Sequence, residues 1–113
     1  MLAASGAAVL RIRRVEVVGD SMRPALEPGD RLLVTRTSDV RMGDMVALVD
    51  PRAPARLVIK RVAACTSSEV TVLGDNPDFS TDSRTFGPVK RAAVRGRAVY
   101  RYYPPDRRTR LKR

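Results

Sequence analysis

The sequence has no histidine and no tryptophan, a single cysteine, and only three Tyr and two Phe among 113 residues. Without His, the Ser-His-Asp triads and nearly every zinc site are excluded. One Cys cannot form a disulfide within the chain. So few aromatics make the base-stacking platforms of single-stranded nucleic-acid binders hard to assemble. Long apolar runs are also missing: Met1 to Leu10 is small and apolar, but a membrane span needs about 20 such residues. That stretch lacks the basic start of a signal peptide, and it reads either as a flexible start or as the remnant of a membrane anchor. Chemistry in this chain therefore falls to Ser, Lys, Arg or carboxylates.

Charge is abundant and of one sign. Lys and Arg number 22 against 12 Asp and Glu, a formal charge of +10, which favours acidic partners such as nucleic acid or an anionic membrane surface. The length supports one modest core and one domain. Helical periodicity is almost absent. Short runs rich in Val, Leu and Ile are separated every ~8–12 residues by Gly, Pro and Asp, the pattern of a small all-β fold. Strands are expected over residues 12–18, 31–36, 45–49, 57–63, 70–73 and 98–103. Breaks fall at Pro28-Gly29-Asp30, Met42-Gly43-Asp44, Asp50-Pro51 and Gly74-Asp75-Asn76-Pro77. One helical turn is expected after Ser21 and another across residues 88–94, where Pro opens the segment. Residues 11–103 then form the folded domain, and 104–113, with two Pro and five basic residues, read as a solvated basic tail. Cys65, at the end of one strand, reads as a small apolar residue in partial burial.

Three segments carry polar residues that a plain β-domain does not require. In Gly19-Asp20-Ser21-Met22-Arg23-Pro24-Ala25-Leu26, a Ser leaves a strand ahead of an apolar residue and a stiffening Pro, which can present its hydroxyl to a cleft. On its own this is more often an ordinary strand-to-turn junction. In Leu57-Val58-Ile59-Lys60-Arg61-Val62, alternation along a strand sets Lys60 on one face with Val58 and Val62. Such a lysine commonly lays its stem over apolar surface and keeps its head in water. If the amine is instead held in apolar surroundings, desolvation lowers its pKa, and a neutral amine near pH 7 is a competent general base. The third segment, Gly74-Asp75-Asn76-Pro77-Asp78-Phe79-Ser80-Thr81-Asp82-Ser83-Arg84, crowds hydroxyls, acids and an Arg around a turn. A calcium loop fails there, because the sixth position from Asp75 is Ser80 rather than Gly and no Glu closes the loop. With no His available, a deprotonated amine is the partner class left for a Ser nucleophile.

Together and in this order, the three segments resemble the boxes of the type I signal peptidase family, the Ser/Lys-dyad endopeptidases that remove leader peptides. The resemblance runs from about Val15 to Tyr103 and is most specific in the third segment. It implies a small coiled β-sheet or partly open barrel, Ser21 as nucleophile and Lys60 as general base. It further implies Ser80 as the group that orients Lys60, an Asp82–Arg84 ion pair holding the third loop, Gly19 and Asp20 in support around the nucleophile, and Met22 and Pro24 at the substrate cleft. Where some relatives place a hydroxyl two residues before the nucleophile, this chain has Gly19, so backbone N–H groups including that of Ser21 are left to hold the oxyanion. Thirteen residues, Arg61 to Leu73, separate Lys60 from Gly74, which leaves out the extra domain of larger relatives. In this minimal form, and in its Tyr100-Arg101-Tyr102-Tyr103-Pro104 ending, the chain is similar to small proteases proposed to mature nickel-type superoxide dismutase. The expected partner is a protein with a cleavable N-terminal leader, with no cofactor and no metal, in a bacterial cytoplasmic or membrane-associated setting; the basic surface suits peripheral contact with anionic membrane. Two other readings stand beside this one. A self-cleaving repressor-type Ser/Lys protease would need a DNA-binding segment or cleavable arm ahead of the first strand. A basic, non-catalytic β-domain binding nucleic acid would use the C-terminal basic cluster.

Overall fold

The run Met45-Val46-Ala47-Leu48-Val49 has no polar residue at alternate positions, so a strand built from it must be covered on both faces. In the computed structural model, which describes residues 11–112, it is. The strands are β1 (Ile12–Glu16), β2 (Arg31–Thr35), β3 (Met45–Asp50), β4 (Ala53–Cys65), β5 (Glu69–Leu73), β6 (Val89–Lys90), β7 (Val94–Tyr103) and β8 (Thr109–Arg110), with one short helix, α1 (Ser83–Phe86), ahead of β6. They form one open antiparallel sheet in the order β1-β2-β7-β3-β4-β5-β6, and β8 pairs with the far end of β7. The fold is thus mainly β, a sheet that does not close into a barrel, as the sequence indicated.

Alternation along β3 divides the core. Met45 and Ala47 join a first cluster with Val17, Met22, Leu26, Leu32, Val34, Ile59 and Ala98. Val46 and Leu48 join a second with Val40, Val62, Val70, Val72, Val89 and Val94. Strand β4 is split likewise, with Ile59 in the first cluster and Val62, with Val58 packed beside it, in the second. Each of these fully buried aliphatic side chains contributes about 1.5–3 kcal/mol of burial free energy.

Element bounds depart from the sequence expectations where long-range pairing overrides local pattern. Strand β4 extends to thirteen residues, because the turn at Pro51-Arg52 is a hairpin that pairs Asp50 with Ala53. Strand β7 starts at Val94, where β3 offers it a partner at Leu48. Residues 88–94 hold a two-residue strand followed by a single 3₁₀ turn, Arg91–Ala93, and the segment after Ser21 is a turn closed by Leu26 N–H donating to Met22 O at 2.9 Å. Helix α1 was not expected. It is capped by Asp82, whose side chain accepts from Arg84 N–H, as acids do at helix starts. Cys65 ends β4 exposed. Residues 1–10 lie outside the described residues.

The expectation of a solvated tail over 104–113 is corrected for its described part. Strand β8 pairs Arg110 with Tyr100, Leu111 packs against the first cluster, and Arg107 Nη1 donates to the buried Asp30 carboxylate at 2.5 Å. Asp30 also accepts from Glu27 N–H at 2.9 Å and lies 3.6 Å from the Arg101 guanidinium. A local reading of basic residues after two prolines could not anticipate a buried acid 77 positions upstream. Arg107→Ala is therefore expected to lower unfolding free energy by about 1–2 kcal/mol, whereas Arg108→Ala, at an exposed position, stays within about 0.5 kcal/mol of wild type. Urea unfolding of both variants checks this; equal effects would mean that the Asp30 contact does not hold the tail.

Candidate active site

Three segments converge on one cavity of about 340 Å³, lined among others by Gly19, Asp20, Ser21, Met22, Lys60 and Phe79. The first segment is the turn after β1. Its ends are pinned together, with Val17 N–H donating to Asp30 O and Gly29 N–H donating to Val17 O, both at 2.8 Å. Val17 on one side and Met22 and Leu26 on the other are buried in the first cluster, so the backbone is anchored on both sides of the half-buried Ser21. Gly19 sits at φ +80°, in the left-handed region where any other side chain is strained. Arg23 pairs with Asp20 at 2.9 Å and with Glu27 at 2.5 Å on the outer side of the turn. Pro24 is exposed and is not among the residues lining the cavity, whereas Met22 lines it from a buried position.

The second segment is β4. Lys60 is 5% exposed on the strand face it shares with Val58 and Val62, and its Nζ donates to Ser80 Oγ at 3.1 Å. Burial pushes the Lys60 pKa down from the ordinary lysine value; the negative Asp82 works against that shift and the positive Arg52 adds to it. Net lowering means that desolvation of the ammonium outweighs the nearby carboxylate. Arg52 and Arg56 also line the cavity. Both donate to the buried Asp50, at 3.1 and 2.6 Å. Burial opposes the ionised Asp50, yet these guanidinium groups hold its carboxyl down to about 2.

The third segment runs from Gly74 to Arg84. Asp82 is fully buried, and its oxygens accept from Gly74 N–H at 2.8 Å, Ser80 Oγ at 2.7 Å, Arg84 N–H at 3.1 Å, Arg84 Nε at 3.0 Å and Arg84 Nη2 at 2.5 Å. Burial works against the ionised form here too, but the Arg84 side chain, the Gly74 amide and Ser80 together hold the carboxyl far below its ordinary value. Ser80 Oγ has one hydrogen, and the acid-only acceptor Asp82 takes it. The same oxygen must then accept from Lys60, which fixes the direction of the chain Lys60 to Ser80 to Asp82.

Sequence reasoning brought Ser80, Asp82 and Arg84 forward but missed how the third segment grips the first. Asn76 Nδ2 donates to Asp20 O at 3.0 Å and Asn76 N–H donates to Ser21 O at 2.9 Å. A Cβ at Gly74 would overlap Ser80 Oγ and come within 2.7 Å of Ser21 O, so the close approach of the two segments requires glycine. Asp75 in turn receives a bidentate pair from Arg61, at 2.9 and 2.7 Å, which ties the third segment to β4. The signal for these contacts was the unbroken Gly74-Asp75-Asn76 string, whose partners lie up to 56 positions away.

Comparison with known proteins shows the family of the chain. Residues 11–99 match the Peptidase S24-like family. The chain is similar to mitochondrial inner membrane protease subunit 2 of Mus musculus, 33% identical over 89% of this chain and 71% of the relative. It is also similar to mitochondrial ATP-independent inner membrane protease subunit 1a of Arabidopsis thaliana, 32% identical over 84% and 73% of the two chains, and to mitochondrial inner membrane protease subunit 1 of Xenopus tropicalis, 34% identical over 76% and 66%. The chain therefore belongs to the S24-like peptidases, within the type I signal peptidase relationship that its three polar segments indicated, and is a protease by family.

Proposed function

We propose that this chain is a serine endopeptidase that removes an N-terminal leader from a protein substrate, with Ser21 as nucleophile and Lys60 as general base. The observation that carries the reading is the buried amine of Lys60, held on Ser80 Oγ at 3.1 Å and lining one cavity with Ser21. A neutral amine that gives one N–H to Ser80 keeps its lone pair for a further contact. In this reading the lone pair takes the proton of Ser21 Oγ as that oxygen attacks the scissile carbonyl. The backbone N–H of Ser21 faces the oxyanion. The tetrahedral intermediate collapses as the ammonium of Lys60 returns its proton to the leaving amine, forming an acyl-Ser21 ester. Water, deprotonated by the same amine, then hydrolyses the ester and restores Ser21.

Exposed Val18 (85%) and Phe79 (67%) give the cavity apolar walls, which suits the apolar residues of a leader. The relatives are named as proteases of a membrane, which supports a leader-bearing protein at a membrane as substrate. Among the described residues no helix is long and apolar enough to cross a membrane.

Ser21→Ala and Lys60→Ala are each expected to lower cleavage by about 10⁴-fold or more on peptides spanning leader junctions, read by mass spectrometry. Lys60→Arg does not rescue, because a guanidinium stays charged. Wild-type rates in a folded Ser21→Ala protein would end the proposal.

Cleavage should rise with pH as Lys60 loses its proton, with its midpoint below the ordinary lysine value of 10.5 because burial lowers the native pKa. Stability has the same sign. Between the lowered native pKa and 10.5 the unfolded chain binds more protons than the folded one, so stability increases with pH through that window. Lys60→Met abolishes this dependence, so its advantage over wild type at neutral pH shrinks as the solution becomes alkaline. Denaturant titrations at several pH values check this, and parallel curves for the two proteins would show that Lys60 is not a buried, depressed amine.

A further inference from the structure

The start of β1, the end of β2 and the start of β7 bring four arginines together beside the candidate active site. Arg11, Arg36 and Arg95 line two adjoining cavities, of about 650 and 400 Å³, and Arg13 lines the second. No carboxylate among the described residues lines either cavity. Among the described residues none of the four makes an ion pair, although nine Arg–carboxylate pairs form elsewhere. All four are exposed, and their strands are positioned by backbone pairing, including Arg36 N–H donating to Arg11 O at 2.9 Å. Guanidinium groups left unpaired on a concave surface hold a positive potential that fits phosphate groups.

We propose that this arginine-lined groove is a docking site for the phosphate headgroups of an anionic lipid bilayer. Three observations favour a bilayer over nucleic acid. Ile12 stands among the arginines at 55% exposure, an apolar side chain that suits the boundary between headgroups and acyl chains. None of the five aromatic residues lines the groove, so bases would find no stacking surface. Finally, Leu57 lines both the groove and the cavity that holds Ser21 and Lys60. A bilayer bound at the groove therefore lies next to that cavity, where a leader emerging from the membrane would be presented.

The test is co-sedimentation with vesicles, which needs no peptidase activity and so stands or falls separately from the catalytic reading. Wild type should bind vesicles of equimolar phosphatidylcholine and phosphatidylglycerol and not vesicles of phosphatidylcholine alone. Replacing Arg11, Arg13, Arg36 and Arg95 together by Gln should weaken partitioning by roughly 100- to 1,000-fold, since each basic group near the surface contributes several-fold. The same change of charge made at Lys90, Arg108, Arg110 and Lys112 should weaken it far less. Thermal unfolding and cleavage of a soluble peptide report that both variants are folded and active. Equal losses in the two variants would reduce the effect to net charge and overturn the proposal. So would tight binding of a DNA or RNA oligonucleotide that depends on the four groove arginines in a protein that ignores anionic vesicles, which would assign the groove to nucleic acid.

Discussion

A carboxylate with no exposure to water supports most of what surrounds the candidate active site. Taking Asp82 out of water carries a desolvation penalty of several kcal/mol, and it is met by five donated hydrogen bonds, three of them from Arg84. Those bonds do three separate things. The Gly74 amide fixes the start of the third segment. The Arg84 contacts cap α1 and hold its first turn against the loop. The Ser80 contact removes that hydroxyl's freedom and turns its lone pair toward Lys60. Neutralising Asp82 would leave Ser80 able to point its hydrogen at the amine instead, so the protonation state of a buried acid sets the polarity of a contact at the cavity.

The nucleophile turn is held by a second set of contacts that share the same loop. Asn76 donates from both its side chain and its backbone to consecutive carbonyls, those of Asp20 and Ser21. Its own position is set by Gly74 two residues before and by the Arg61–Asp75 pair one residue before. Arg61 is adjacent to Lys60 on β4 and points to the other face by strand alternation. One strand thus supplies the candidate base on one face and the tether of the third loop on the other. A shift of β4 by one register position would exchange them, which links the β3–β4 pairing of Val46 with Lys60 to the arrangement of the site.

How much was legible in the sequence follows from the range of each interaction. The apolar run of β3 and the alternation around Lys60 are local patterns, and both fixed the fold class and the face of the lysine correctly. Ser80, Asp82 and Arg84 were legible as a group through the resemblance of the third segment to the signal peptidase family, and the contacts of Asp82 with Ser80 and Arg84 each span two residues. The Asn76 clamp, the length of β4 and the docking of residues 107–111 depend on partners from other parts of the chain. Val89–Lys90 has no strong strand signature and becomes a strand because Glu69 and Val70 present an unpaired edge to it. Pro24 shows the opposite case: it stands beside the nucleophile in sequence, but the turn carries it to the surface.

The formal charge of +10 is spread unevenly over the molecule. Asp30, Asp44, Asp50 and Asp82 are all buried, so a third of the twelve acids act inside the molecule as acceptors for loop amides and guanidinium groups. Asp30, Asp50 and Asp82 draw Arg101, Arg107, Arg52, Arg56 and Arg84 inward at their charged ends. Acids that remain outside, such as Asp20 and Glu27, are taken up by Arg23. Few carboxylates are then left to balance the arginines at the beginning of β1 and β7. The same choice that builds a rigid loop around the cavity, burying aspartates to hold arginines, leaves a groove beside that cavity in which positive charge has no carboxylate partner among the described residues.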